Sequence, residues 1–179
     1  MDIQALAKQI PAEGEHSLEG VDFIINGDQY LTFQLGTEQY ALDILSVEEI
    51  RSWEQPTLIP NSPAYVKGVI NMRGIIVPII DLRMKFRVGE PTYTELTVVI
   101  VLHIDSEEGE RKIGFVVDAV SDVLNAEEKE IKKAPNFGGL IPAYYVRGLI
   151  NVGDNLVTLL NLQALNNIEP HKTNGMDNL

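Results

Sequence analysis

Two acidic residues sit where carboxylate chemistry would need them: Asp81 and Asp118 each end an apolar, strand-like run. Such a pair can divide the general acid and general base roles, provided both groups face one cleft. Acids at strand ends also have a plainer use, which is the one expected here. They accept hydrogen bonds from turn amides or pair with a neighbouring cation such as Arg83. The three histidines, His16, His103 and His171, have no metal-ligand spacing between them, and the chain has no cysteine. A thiolate zinc site, a disulfide framework and a cysteine nucleophile are thereby excluded. No G-x-S-x-G elbow, phosphate loop or dinucleotide fingerprint occurs. Gly138-Gly139 follows Phe137 without the lysine or helix start of a phosphate cradle. The expectation is a non-enzyme without cofactor or metal, whose chemistry is recognition.

Composition narrows the partners. The 179 residues carry 14 basic and 26 acidic side chains, a net charge of −12. That excess repels phosphate backbones and anionic lipid surfaces, so nucleic acid is not expected as a partner and neither is direct membrane insertion. A hydrophobic share of 45% suits one globular unit, or two small ones sharing a core. The longest apolar run, Val98–Leu102, is far too short to span a bilayer, and the N-terminal MDIQALAKQIPAEGEHS lacks the basic-then-apolar pattern of a secretory signal. Localisation is expected to be cytoplasmic.

The elements that must position any binding residues are mostly strands. Leu31, Phe33 and Leu35 alternate with Thr32 and Gln34, Tyr40, Leu42 and Ile44 alternate with Ala41 and Asp43, and Gly36–Gln39 supplies a hairpin turn. Thr97–Leu102 is apolar on both faces and reads as a central strand, with Lys112–Val117 as its hairpin partner after a polar turn at Asp105–Glu110. Ile75–Leu82 contains Pro78, which cannot donate to a ladder, so that strand is expected at an edge, a bulge or a bend. Leu156–Leu162 is the last strand. Ser46 with Glu49 forms a capping-box pattern ahead of Ile50 and Trp53, and Asn125 is placed to cap Glu127–Lys132. The reading is a flexible leader over 1–21, a folded body over 22–165 and a flexible tail over 166–179.

An internal repeat organises the body. Tyr65-Val-Lys-Gly-Val-Ile-Asn71 returns as Tyr145-Val-Arg-Gly-Leu-Ile-Asn151, an offset of 80 residues, and Pro-Ala precedes both copies. Upstream, Tyr40–Val47 aligns more weakly with Ile113–Val120, an offset of 73. Two similar β-units, each too short to bury a core alone, are expected to pack about a pseudo-twofold axis, with Tyr65–Asn71 superimposing on Tyr145–Asn151. The hairpin turn Met72-Arg73-Gly74 becomes Val152-Gly153-Asp154 in the second copy, so Arg73 is charged in one half only.

Three segments carry a family resemblance: Tyr40-Ala-Leu-Asp-Ile-Leu-Ser-Val-Glu-Glu-Ile-Arg51, Ile59–Arg83 with its Asn-Met-Arg-Gly turn, and Ile113-Gly-Phe-Val-Val-Asp-Ala-Val-Ser-Asp-Val-Leu124. They resemble the CheW family of bacterial chemotaxis coupling proteins over roughly residues 28–165. The resemblance implies two SH3-like five-stranded β-barrels related by pseudo-twofold symmetry, intertwined within the one body, with short helices at corners and ends. It implies a non-catalytic adaptor without cofactor. Its partners would be the cytoplasmic tip of methyl-accepting chemotaxis receptors and the regulatory domain of the histidine kinase CheA, at membrane receptor arrays. The short leader and tail favour a stand-alone coupler over a fused domain.

The same resemblance places receptor contact in the groove between the barrels, at Val47, Arg73 and Val120. Val47 and Ile50 are three residues apart, as are Val120 and Val123, and both pairs are expected on short helical turns lining that groove. An exposed turn arginine that only pairs locally contributes under about 1 kcal/mol, whereas an arginine anchoring an interface matters far more. No residues are assigned to the kinase, whose barrel would continue against exposed strand ends of one barrel here.

The polar ends bury little by composition. Removal of residues 1–20 and 170–179 is expected to leave the melting temperature and partner binding within error of the full chain. A clear drop in melting temperature would mean that the leader docks on the body, through Leu6 and Ile10.

Overall fold

The computed structural model describes residues 28–107, 109–133 and 141–167. The leader, His16, His171, the Gly138-Gly139 loop and the chain beyond residue 167 lie outside the described residues. The strands are β1 Asp28–Leu35, β2 Glu38–Asp43, β3 Val47–Ser52, β4 Val66–Met72, β5 Ile75–Asp81, β6 Val98–Ser106, β7 Gly109–Val117, β8 Ala119–Ala126, β9 Ile131–Lys132, β10 Val146–Val152 and β11 Asn155–Leu160. Two short helices follow the β4–β5 and β10–β11 hairpins, α1 Leu82–Phe86 and α2 Leu162–Asn166, and single 3₁₀ turns occupy Ile44–Ser46, Glu128–Glu130 and Ala143–Tyr145. Helix α2 ends one residue past the sequence-based boundary at 165, with Asn166 buried.

Two sheets form. One has the order β8-β1-β2-β11-β10-β9, the other β3-β6-β7-β5-β4. The repeat is legible in their registers. Ile79 pairs with Gly114 across the parallel β5–β7 ladder, and Leu159 pairs with Ala41 across the parallel β11–β2 ladder. These positions are related by the two offsets of the sequence repeat. The Asp81 amide donates to the Tyr65 carbonyl at 2.8 Å, and the Asn161 amide donates to Tyr145 at 2.8 Å. Both hairpins shift register at the same place, between Val66 and Gly68 and between Val146 and Gly148. Tyr65–Asn71 and Tyr145–Asn151 thus take matching paths, and the mostly β class with two SH3-like units is the observed architecture.

The two repeat copies do not each make one sheet. The first copy sends β2 to one sheet and β3, β4 and β5 to the other; the second sends β7 to the latter and β8, β10 and β11 to the former. The chain crosses between sheets twice among the described residues, at Ile44–Ser46 and at Asp118.

The core explains the apolar strands. A central cluster takes Leu31, Phe33, Leu35, Tyr40 and Leu42 from one sheet and Ile80, Val98, Ile100, Leu102, Phe115 and Val117 from the other. Alternate residues fill the far side of each sheet: Tyr30, Ala41, Ile150 and Val157 on one, Met72, Val77, Val99, Val101 and Val116 on the other. Strand β6 is therefore buried on both faces, as its unbroken apolar run required.

Three local expectations are corrected and a fourth is narrowed. Ser46–Trp53 is not a helix: Ser46 closes the 3₁₀ turn and Val47–Ser52 is strand β3. Asn125 lies in β8 and caps nothing; Glu127 precedes the 3₁₀ turn. The β6–β7 turn is tighter than Asp105–Glu110, since the two strands pair as far as Ser106 and Gly109. Finally, of the edge, bulge or bend expected at Pro78 the edge is excluded: β5 is internal, and its ladder with β4 shifts register close by, opposite Ile79 and Ile80. Pro78 pairs with Val69 of β4, but the ladder to β7 begins only at Ile79, which leaves the proline just outside it.

Gly68 and Gly148 hold matched contacts. Gly68 has φ +136°, and a Cβ there would lie 2.7 Å from the Thr57 carbonyl carbon, nearer still to its oxygen. A Cβ at Gly148 would lie 2.8 Å from the Lys132 oxygen without the positive φ. Gly68→Ala is expected to cost about 2–4 kcal/mol and Gly148→Ala less, because the first adds backbone strain to the clash. Urea denaturation of the two variants checks the order; an equal or smaller loss at Gly68 would contradict it.

Candidate functional site

Where one sheet hands the chain to the other, the predicted groove residues are found. Val47 is the first residue of β3, directly after the Ile44–Ser46 crossing, and Val120 is the second of β8, two residues after the Asp118 crossing. Neither pair of apolar residues lies on a helical turn. Val47 opposes Leu102 and Ile50 opposes Ile100, with Glu48 bulged out between them. Val120 opposes Phe33 and Val123 opposes Leu31, with Ser121 bulged out. One extra residue restores a spacing of three to a single face of a strand. Both pairs therefore face the central core, where Ile50 is buried and Val47, Val120 and Val123 are partly buried against it. Ile50 and Val123 match under the 73-residue offset, as do the bulged Glu48 and Ser121.

Each bulge is pinned from a neighbouring strand. The Thr32 hydroxyl of β1 donates to the Asp122 carbonyl at 3.0 Å and accepts from the Asp122 amide at 2.9 Å. The Glu48 carboxylate takes Lys112 Nζ at 3.0 Å on one oxygen and contacts His103 Nδ1 at 3.1 Å with the other. The Lys112 and His103 hydrogen bonds hold the Glu48 carboxyl below the usual range against a smaller opposing effect of burial. Glu110 also approaches His103, at 3.8 Å, so Glu48, His103 and Glu110 could share a cation, although Lys112 already balances Glu48.

Arg73 sits at the tip of the β4–β5 hairpin, away from the valines. Its φ is +54° and that of Gly74 is +85°, a type I′ turn, which the Asn71 side chain closes by accepting from the Gly74 amide at 2.8 Å. The Arg73 side chain is 73% exposed, and its ion pair is a loose one to Glu49 at 3.8 Å. Glu49 Oε2 is buried without a hydrogen-bond partner among the described residues. In the second copy the matched residue is Gly153, also at positive φ, +60°, but Asp154 after it is not, so that hairpin closes with a different turn.

The two carboxylates weighed for catalysis converge, but on a buried cation. Arg83 fills the space between them. Its Nε donates to Asp81 Oδ1 at 3.0 Å, Nη2 to Asp81 Oδ2 at 2.9 Å and Nη1 to Asp118 Oδ1 at 2.8 Å. Arg83 and Asp81 are wholly buried. Burial works against the guanidinium charge, yet the two carboxylates outweigh it and hold its pKa above the ordinary value. Tyr93 donates to Asp81 at 2.8 Å, and burial followed by that bond raises the phenol's pKa. The arrangement neutralises charge and serves structure, as the plainer reading expected.

Sequence reasoning gave Glu49 only a capping role and Glu48 none, and it named Asp118 and Arg83 without the Gly36 contact that joins them to the other sheet. A signal for Glu49 was present: Val47-Glu-Glu-Ile50 and Val120-Ser-Asp-Val123 both place an acid before the second apolar residue. That acid turns away from the central core: Glu49 opposes Val101 and Asp122 opposes Thr32.

Comparison with known proteins closes the case for kinship. The model of the CheW-like domain matches residues 29–169. The chemotaxis protein CheW of Klebsiella aerogenes is 46% identical over 139 residues, covering 78% of this chain and 81% of that protein. The probable chemotaxis protein CheW of Rhizobium etli is 34% identical over 142 residues, covering 78% and 88%. The crystal structure of scaffolding protein TtCheW from Thermoanaerobacter tengcongensis superimposes with a TM-score of 0.69 at 31% identity, covering 76% of this chain and 85% of that one. Matched along its folded body in sequence and in strand arrangement alike, this chain belongs to the family of CheW-like domain proteins.

Proposed function

We propose that this chemotaxis scaffold couples methyl-accepting receptors to the histidine kinase CheA, in the cytoplasm beneath membrane receptor arrays. Family membership supports the adaptor role. No helix among the described residues is long and apolar enough to cross a membrane, which suits recruitment by receptors. In this reading the receptor's helical-hairpin tip lies where the two sheets meet. Val47 and Val120 line the groove, Val123 flanks it, Ile50 forms its floor from within the core, and Arg73 stands at the rim. The regulatory domain of CheA takes a separate surface of exposed strand ends.

The observation that carries the Arg73 assignment is its strained backbone. A left-handed conformation costs a non-glycine residue roughly 1 kcal/mol, and the second copy avoids that cost with Gly153. Strain kept in one copy only, beneath an exposed and loosely paired guanidinium, fits a side chain held for a partner. A hydrolase acting through Asp81 and Asp118 has no comparable support, because Arg83 occupies their common space.

Arg73→Gly separates the two roles. It is expected to raise stability by about 0.5–1 kcal/mol through relief of strain. It is expected to weaken binding of a receptor cytoplasmic fragment by about 2 kcal/mol, roughly thirtyfold. Thermal melting and titration against the receptor fragment and the CheA regulatory domain check both parts. Unchanged affinity for both partners would remove Arg73 from the interface, and a lowered melting temperature would make it structural.

A further inference from the structure

The two crossings between sheets are matched positions of the repeat, yet they are held in different ways. At the first, Asp43 Oδ1 accepts from the Leu45 amide at 2.9 Å, a contact local to the turn, and the Leu45 side chain is 78% exposed. Its counterpart at the second crossing, 73 residues on, is Asp118. The Asp118 amide donates to the Gln34 carbonyl at 3.0 Å and its Oδ2 accepts from the Gly36 amide at 2.6 Å. Both of those partners belong to the sheet being entered. Its Oδ1 accepts from Arg83 Nη1 at 2.8 Å, and Arg83 belongs to helix α1 of the sheet being left. Arg83 is in turn immobilised by Asp81, Tyr93 and the Thr92 carbonyl, the tyrosine reaching it through Asp81 and from 4.9 Å over its guanidinium.

Beside this network the two units touch through bare backbone. Gly36, φ +61°, in the β1–β2 turn meets Gly89, φ +74°, in the loop after α1; a Cβ on Gly36 would lie 3.1 Å from Gly89 Cα, and one on Gly89 would lie 2.7 Å from Gly36 Cα. The second copy has none of this charge. Where Asp81 and Arg83 stand, it has Asn161 and Gln163, and Asn161 merely caps α2 by accepting from the Gln163 amide. Helix capping needs only the neutral residue, so the buried charges on the other side serve a further end. A carboxylate with one oxygen on each sheet is geometrically a strut.

We propose that Asp118, with Arg83 and the Gly36–Gly89 contact, is a positioning device that sets the angle between the two β-units and thereby the width of the groove between Val47 and Val120. The part concerning the groove rests on the receptor-binding reading given above; the part concerning the angle does not. Asp118 fixes the residue two places before Val120, and its loss frees the hand-over point while the Asp81–Arg83 pair stays neutralised in the core. Asp118→Asn keeps an acceptor for Gly36 and gives up the ion pair. Gly36→Ala keeps the ion pair and forces the two loops apart.

The absence of cysteine allows a direct test. Exposed positions on opposite sheets, Asp105→Cys on β6 and Asn125→Cys on β8, take spin labels, and pulsed dipolar spectroscopy reads the distance between them. The parent is expected to show one narrow distance, and both Asp118→Asn and Gly36→Ala a shifted or broadened one, with each unit still folded by circular dichroism. Receptor-fragment affinity is expected to fall at least tenfold in both variants, while affinity for the CheA regulatory domain stays within twofold. An unchanged distance distribution in both variants overturns the strut. A changed distribution with unchanged receptor affinity overturns the link to the groove. Failure of the unlabelled parent to bind receptor fragment would count against the receptor-binding reading instead, and the distance measurement would still decide the strut.

Discussion

Everything in this fold follows from sheets whose two faces are both apolar. A sheet with one greasy face can pack once and leave the other face to water; a strand such as Val98–Leu102, buried throughout, cannot. The solution here is to bend each sheet around a small private core and set the two back to back on a shared one. Neither sheet is a stable object alone, since the shared face would be exposed. The exchange of strands between repeat copies makes that dependence covalent, because each sheet needs a strand that the other copy supplies.

Much of this was legible in the residues. The repeat announced two related units, alternation placed Leu31, Phe33 and Leu35 on one face, and the double-faced run identified the central strand. What misled was spacing. An apolar pair three residues apart is what a helical turn presents, and also what a bulged strand presents, because one inserted residue inverts the alternation. Val47/Ile50 and Val120/Val123 are the second kind, and only the partner strand, Leu102 and Ile100 in one case, Phe33 and Leu31 in the other, distinguishes them. Pro78 left more open than it decided. It excludes a ladder bond at one residue, yet the parallel ladder to β7 can begin one residue later.

The candidate site was legible as far as residue identity and no further. Val47, Val120 and Arg73 came from the family-like segments, and the repeat paired the valines. That both valines stand directly after a passage from one sheet to the other depends on strand order, which no local pattern encodes. Pairing of the strand-end acids with Arg83 was legible, but not that Asp81 and Asp118 meet on the one guanidinium, since Asp118 is 35 residues from Arg83 along the chain.

The strand exchange also dictates an order of events during synthesis. β3 to β7 are contiguous in the chain and complete one sheet among themselves. β1 and β2 emerge first, but their neighbours β8 and β11 are made last: Phe33 must find Val120, and Ala41 must find Leu159. Pairings so distant along the chain are slow to close. During synthesis the first hairpin therefore waits with both of its edges open while the other sheet folds beneath it, and β11, the last of the described strands, closes against β2.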